Sequence, residues 1–291
     1  MGQFGQLYLR KPISQTRYMK HFPKLALLFF LSTFLFSCQD HLGVPTEGGK
    51  RVRLKRFYVS TVMVPSRAYN SYYDFFYDEL GRMNSIPHFT IDKNGTPVMD
   101  EHTILYYDSK GRVERERTDG MESRSTRYGY DSLNRVENIW INIDGSTGVS
   151  GFHFLYDGQG LPWERLFYAL NANGDSTTIS RERYNFDVNG NLESLVQKYS
   201  SNVSPPFTRT TTYQYDDKPN PWLQIPAHIF RTSAFSYSRN NAISFATQEV
   251  YSPPTAPYSF SHQFNNKYNN GLLEETEFDQ QYALKILYET Y

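Results

Sequence analysis

Cysteine is almost missing from this chain: among 291 residues there is one, Cys38. A single thiol excludes an intramolecular disulfide framework and any Cys-rich zinc or iron–sulfur site. An excess of one charge is missing as well, with 30 Lys+Arg against 30 Asp+Glu. A surface that coats nucleic acid would show a basic surplus, so no nucleic-acid partner is expected. Catalytic signatures are also lacking: the sequence holds no G-x-S-x-G elbow, no P-loop and no G-x-G-x-x-G. His21, His41, His88, His102, His153, His228 and His262 are scattered without metal-ligand spacing. No catalytic residue, metal or cofactor is therefore expected. Tryptophan is scarce, at 3 residues, yet Tyr and Phe number 24 and 21. Aromatics in that proportion suit pleated strands better than helices.

The neutral charge hides an asymmetry. Residues 1–37 hold five basic side chains (Arg10, Lys11, Arg17, Lys20, Lys24) and no acid, which leaves 25 basic against 30 acidic side chains in the rest. Leu25 to Phe36 reads LALLFFLSTFLF, an apolar run of twelve. That is too short for a membrane-spanning helix and suits the h-region of a signal peptide. Leu35, Phe36, Ser37 and Cys38 follow, and this order resembles a bacterial lipobox, with a small residue just before the Cys. The resemblance implies cleavage before Cys38 and acylation of its sulfur, so the membrane becomes a partner through a lipid anchor. Starting at Met19 gives an n-region of ordinary size, and residues 1–18 read as an over-extended start. Residues 38–50 carry Gly43, Pro45, Gly48 and Gly49 without apolar periodicity and read as a flexible tether.

From residue 51 onward the chain repeats itself, and it reads as one domain over 51–291. The unit is aromatic-x-aromatic-Asp-x-x-Gly-Arg-apolar. It is anchored at Tyr77, Tyr107, Tyr130, Tyr156, Phe186 and Tyr215, with a half copy at Tyr268; the spacings are 30, 23, 26, 30, 29 and 53 residues. Alternating aromatics place one row of rings on one strand face. Asp78, Asp108, Asp131, Asp157 and Asp187 open turns by accepting backbone N–H bonds. Gly81, Gly111, Gly160 and Gly190 supply a positive φ, and Asn134, which tolerates the same conformation, stands in for the glycine of the third copy. Each unit is thus a β-hairpin.

Y-x-Y-D-x-x-G-R, with Gly120 ten residues before Tyr130, resembles the YD repeat of RHS and teneurin-type proteins over about Tyr72 to Leu223. Arg82, Arg112 and Arg135 give way to Leu161, Asn191 and Asn220 in later copies. KPNPW followed by SRNNA (Ser238 to Ala242) is more similar to the short YD-repeat lipoproteins of Bacteroidetes-type envelopes. The resemblance implies a β-hairpin array on a lipid anchor, located in the bacterial cell envelope at the outer membrane, on its periplasmic side or at the cell surface. Too few copies are present for the toxin-enclosing shell of long RHS proteins.

The expected fold is all-β: antiparallel hairpins in one elongated, curved or partly closed sheet, almost without helix. ALKILYETY (Ala283 to Tyr291) alternates and reads as a terminal strand. The repeat Asp residues recur at every turn, which marks them as structural, since a catalytic carboxylate pair would be singular. DKNG (Asp92 to Gly95) and DVNG (Asp187 to Gly190) lack the oxygens of a full calcium loop and read as turns. Trp140, Trp163 and Trp222 are candidates for stacking a ligand, with core packing as the alternative. Two functions are open from the sequence: a structural or protein-interaction lipoprotein without catalytic activity, and a surface lipoprotein that binds glycan through exposed Trp and Tyr.

Overall fold

The computed structural model describes residues 44–45, 51–60, 69–146, 148–171, 173–199, 206–226, 237–252, 257–278 and 282–291. Cys38 and the expected signal peptide lie outside the described residues. The strands are β1 (Val44–Pro45), β2 (Arg51–Ser60), β3 (Ser71–Asp74), β4 (Phe76–Tyr77), β5 (Met83–Ile91) and β6 (Pro97–Tyr107). They continue with β7 (Val113–Gly120), β8 (Arg124–Tyr130), β9 (Val136–Ile143), β10 (Val149–Tyr156), β11 (Pro162–Leu170) and β12 (Ser176–Phe186). The last are β13 (Leu192–Tyr199), β14 (Phe207–Pro219), β15 (Asn240–Tyr251), β16 (Tyr258–Asn269), β17 (Leu272–Phe278) and β18 (Tyr282–Thr290). One short 3-10 turn, Pro221–Gln224, follows β14.

Each strand pairs antiparallel with its neighbour in sequence, and β18 pairs with β2 from Ala283↔Ser60 to Thr290↔Val52. The sheet is therefore a closed up-and-down barrel. β3 and β4 are two halves of one wall position, broken at Phe75 and both paired with β5, so the wall has sixteen strands. This corrects the expectation of an elongated, partly closed sheet. The first and last strands satisfy each other's backbone groups, leaving no edge in the wall. Within the stretch read as a tether, β1 pairs Val44 with Val52 and Pro45 with Arg51.

The turns of the repeat copies lie at one end of the barrel, together with the start of β2 and the C-terminus, where Tyr291 N–H donates to the Arg51 carbonyl at 3.1 Å; the Asp92–Gly95 turn, between β5 and β6, lies at the other end. Pairs directly across the ladder share a face, so burial assigns inside and outside. The inner face carries a buried apolar cluster from β2, β5 to β10, β17 and β18, including Leu54, Met83, Leu105, Ile139, Phe154 and Ile286. Ile225 joins it, fully buried, from the segment beyond the 3-10 turn, and the Trp222 ring meets Phe57 edge-on at 4.7 Å. The residues just after β14, from Trp222 to Ile225, thus turn back into the barrel and help to fill it.

Candidate functional site: turn rim, filled interior and outer wall

The rim is built from the repeat. In the first copy the Asp78 carboxylate accepts the Leu80 and Arg82 N–H groups through Oδ1, at 3.0 and 2.8 Å, and Arg82 Nε through Oδ2 at 2.7 Å. Asp108 and Asp131 repeat this geometry with Arg112 and Arg135. Burial pushes the Asp78 carboxyl up, but the Arg82 N–H and guanidinium outweigh it and hold it below the usual carboxylate range. Asp108 and Asp131 are lowered in the same way. The turn bends back at Gly111 with φ +77° and at Asn134 with φ +63°, the left-handed region that a branched side chain resists.

The repeat Arg joins one copy to the next. Each guanidinium, already forked onto its own Asp, lies over the Tyr ring of the next copy. Arg82 sits 4.4 Å from the Tyr107 centroid, Arg112 4.1 Å from Tyr130 and Arg135 4.3 Å from Tyr156. Arg53 on β2 begins the series, 4.0 Å from Tyr77. Each Tyr hydroxyl then donates to a carbonyl on the strand that leaves the preceding turn. Tyr77 reaches Leu54, Tyr107 Met83, Tyr130 Val113 at 2.6 Å and Tyr156 Val136 at 2.5 Å. The repeat therefore couples adjacent hairpins as well as turning the chain. Burial raises the Tyr77, Tyr107, Tyr215 and Tyr288 hydroxyls well above the ordinary tyrosine range.

Tyr288 is an eighth anchor that the repeat pattern does not contain, because no Asp-x-x-Gly follows it. Its hydroxyl donates to the Leu273 carbonyl at 2.9 Å, and Tyr77 passes the pattern on to β2. Eight anchors, one per hairpin, run around the rim. Phe186 has no hydroxyl to give, and Tyr268 donates to the Asp216 carboxylate instead of a carbonyl.

Where the Arg series stops, other groups take over. Leu161 replaces Arg in the fourth copy, just before the anchor that is Phe186. Beyond it, Ser238 Oγ accepts the Leu192 N–H at 3.0 Å and donates to the Tyr215 hydroxyl at 2.7 Å. Asn191 Oδ1 accepts the Asn240 N–H at 2.9 Å, and the Arg239 side chain lies across Gly190, where an added Cβ would be 3.2 Å from Nε. The segment returning from the interior thus knits the fifth and sixth turns together.

The interior also holds hydrogen-bonded polar groups. Arg165, Glu182, Tyr184 and Gln197 form one set, with Arg165 Nη2 2.6 Å from Glu182 and both side chains buried. Tyr128 donates to Glu116 at 3.0 Å, and Thr103 with Thr118, and Thr211 with Thr247, bond across strands.

The outer wall is ionic at mid-strand. Arg117 forks between Asp119 at 2.8 Å and Asp144 at 2.6 Å, Arg183 meets Glu164 at 3.0 Å, and Lys267 meets Glu277 at 2.8 Å. Of the three sequence candidates for stacking, Trp140 lies on this wall in β9 and Trp163 on it at a β11 bulge, 39 % exposed with the Arg183 guanidinium alongside. Trp222 packs inside the barrel. The histidines are dispersed: His88 meets Asp100 at 2.7 Å, His102 meets Ser85 and His153 meets Asn138. No group of three or more metal-ligating side chains occurs among the described residues. No described helix is long and apolar enough to cross a membrane, which leaves open crossing by strands.

The chain matches no protein-family profile and no curated protein. Among solved structures, a porin-like protein from Bacteroides uniformis aligns with TM-score 0.51 at 8 % identity, covering 81 % of this chain and 96 % of that one. A porin-like protein from Bacteroides vulgatus aligns at TM-score 0.41 and 12 % identity, covering 82 % and 99 %. The Photorhabdus luminescens Tc holotoxin pore aligns at TM-score 0.31 and 13 % identity, over 71 % of this chain and 12 % of that one. The first likeness defines the fold class: a closed sixteen-strand antiparallel barrel of the porin-like kind.

Proposed function

We propose that this chain is a cell-envelope lipoprotein whose barrel stands in water as a non-catalytic structural or interaction module, and does not serve as a pore. One observation carries the reading: the chemistry of the outer wall. Among β6 to β18, strands of 9 to 13 residues reach the roughly 9–11 needed to cross a bilayer and stand among strands of 7 or 8 that fall short, so length alone does not decide. Face chemistry does. A membrane barrel turns an apolar band to lipid, and each Arg or Lys at mid-bilayer costs about 2–4 kcal/mol. Here the band would carry Arg115, Arg117, Arg127, Arg181, Arg183, Lys198 and Lys267. The polarity is inverted inside as well, where an apolar cluster and the Trp222–Ile225 segment occupy space that a porin leaves to water.

The lipobox at Cys38 and the YD-type repeat support the envelope location and the lipid anchor; two or more acyl chains would hold such a protein stably. Cys38→Ala is expected to leave unprocessed precursor and abolish labelling by a palmitate analogue; continued labelling would refute the anchor. The pore alternative is tested with the full chain in planar bilayers, where the filled barrel is expected to give no conductance steps and regular steps would contradict it. A second reading, a surface lipoprotein that binds glycan, draws support from Trp140 and Trp163 on the outer wall, and Trp222 has no part in it.

A further inference from the structure

The ladder registers place one row of side chains around the outer wall: Tyr106 opposite Arg115, Arg115 opposite Arg127, Arg127 opposite Trp140, then Gly151 between Trp140 and Tyr168. From β6 to β11 the row spans about 24 Å at the usual strand spacing. Two glycines on the same face, Gly151 in the row and Gly129 two residues after Arg127, clear space for rings to lie down. A Cβ on Gly129 would stand 2.8 Å from the Trp140 ring, and one on Gly151 2.7 Å from the Tyr168 hydroxyl. Both rings thus rest against the sheet and turn a face outward.

The arginines are the part that stability does not explain. Like charges directly opposite destabilise a sheet. Arg117, two residues from Arg115 on the same face, is forked by two carboxylates. Arg115 and Arg127 are exposed and make no ion pair among the described residues, and the Arg115 guanidinium rests 4.2 Å from the Tyr106 centroid. An anion bridging the two would relieve their repulsion, and guanidinium forks match carboxylate or sulfate oxygens.

We propose that the Tyr106–Arg115–Arg127–Trp140–Tyr168 row binds an acidic polysaccharide, with uronate or sulfate groups on the arginines and sugar rings on the aromatic faces. The C–H edge of a sugar ring meets the electron-rich face of Trp or Tyr favourably. An acidic protein would want a central pocket for an apolar anchor, which a row of flat rings does not provide. An anionic bilayer would want four or more clustered cations, and the row has two. The proposal rests on the water-facing reading of the wall and names its partner.

The test titrates the full chain, in mild detergent, with polygalacturonate, heparin, dextran and poly-glutamate by isothermal calorimetry. Salt-sensitive binding to polygalacturonate or heparin, absent for dextran and poly-glutamate, is expected. It should weaken at least tenfold in Arg115→Gln/Arg127→Gln and several-fold in Trp140→Ala, with thermal stability of the arginine variant unchanged or raised. Absence of binding to either acidic glycan, equal binding to poly-glutamate, or unchanged affinity in the double variant would overturn the proposal. Such a failure with tryptophans still unquenched by lipid removes the row alone; quenching by lipid removes the water-facing wall itself.

Discussion

The first four hairpins and the last four solve the same rim problem by different means. At Tyr77, Tyr107 and Tyr130 each turn is a self-contained unit, its Asp forked by its own Arg and that Arg laid over the next Tyr, the last of which is Tyr156. From Leu161 onward the Arg is gone, and at the fifth and sixth turns Ser238, Arg239 and Asn240, brought in from far along the chain, do the joining. A local device repeats cheaply in sequence. Its replacement depends on the interior segment being in place, so the second half should be the less autonomous one. Loss of Arg at position 161 and loss of hydroxyl at 186 fall at the same junction, as expected if the pair is useful only when complete.

The largest effect should come from loosening the interior segment. Ile225→Ala is expected to cost about 2–5 kcal/mol, and hydrogen exchange should show the β12–β15 amides opening before those of β5–β9; uniform loss would erase the contrast. Next, Gly111→Val forces a branched residue into the left-handed region and should cost about 1–3 kcal/mol in thermal unfolding; an unchanged midpoint would mean the turn is not held there. Tyr107→Phe removes one rim hydrogen bond and should cost about 0.5–1.5 kcal/mol. Installing the missing pair, Leu161→Arg with Phe186→Tyr, should stabilise with a favourable coupling of about 0.5–1 kcal/mol in a double-mutant cycle. Additive effects would show that the Arg–Tyr contact is incidental.

The rim also sets the pH limits. Asp78, Asp108 and Asp131 have depressed carboxyls, so their stabilisation is complete above the unfolded Asp value near pH 4 and lost as pH falls through the folded values. The raised tyrosines act at the other end: their contribution is complete below the unfolded tyrosine value of about 10 and lost as pH rises through the folded values. Denaturation midpoints measured from pH 2 to 12 should fall at both extremes.

What was legible in the sequence was local. An Asp that bonds N–H groups two and four residues ahead leaves a short, repeating trace, and Asn134 in place of Gly marked a backbone role. Closure was not legible, because Arg53 and Glu289 meet across 236 residues and Tyr288 carries the rim role without its turn. Nor was the fate of Trp222, which follows from a segment without periodicity folding inward. The row from Tyr106 to Tyr168 exists only once five registers are fixed, so no spacing within one strand could announce it.

The water-facing wall is tested most directly by tryptophan fluorescence of the full chain reconstituted into vesicles containing brominated lipids. Trp140 and Trp163 lie on the outer wall and Trp222 inside, so emission unaffected by the bromines is the result predicted here. Strong quenching that disappears in Trp140→Phe/Trp163→Phe would place the wall in lipid and contradict it.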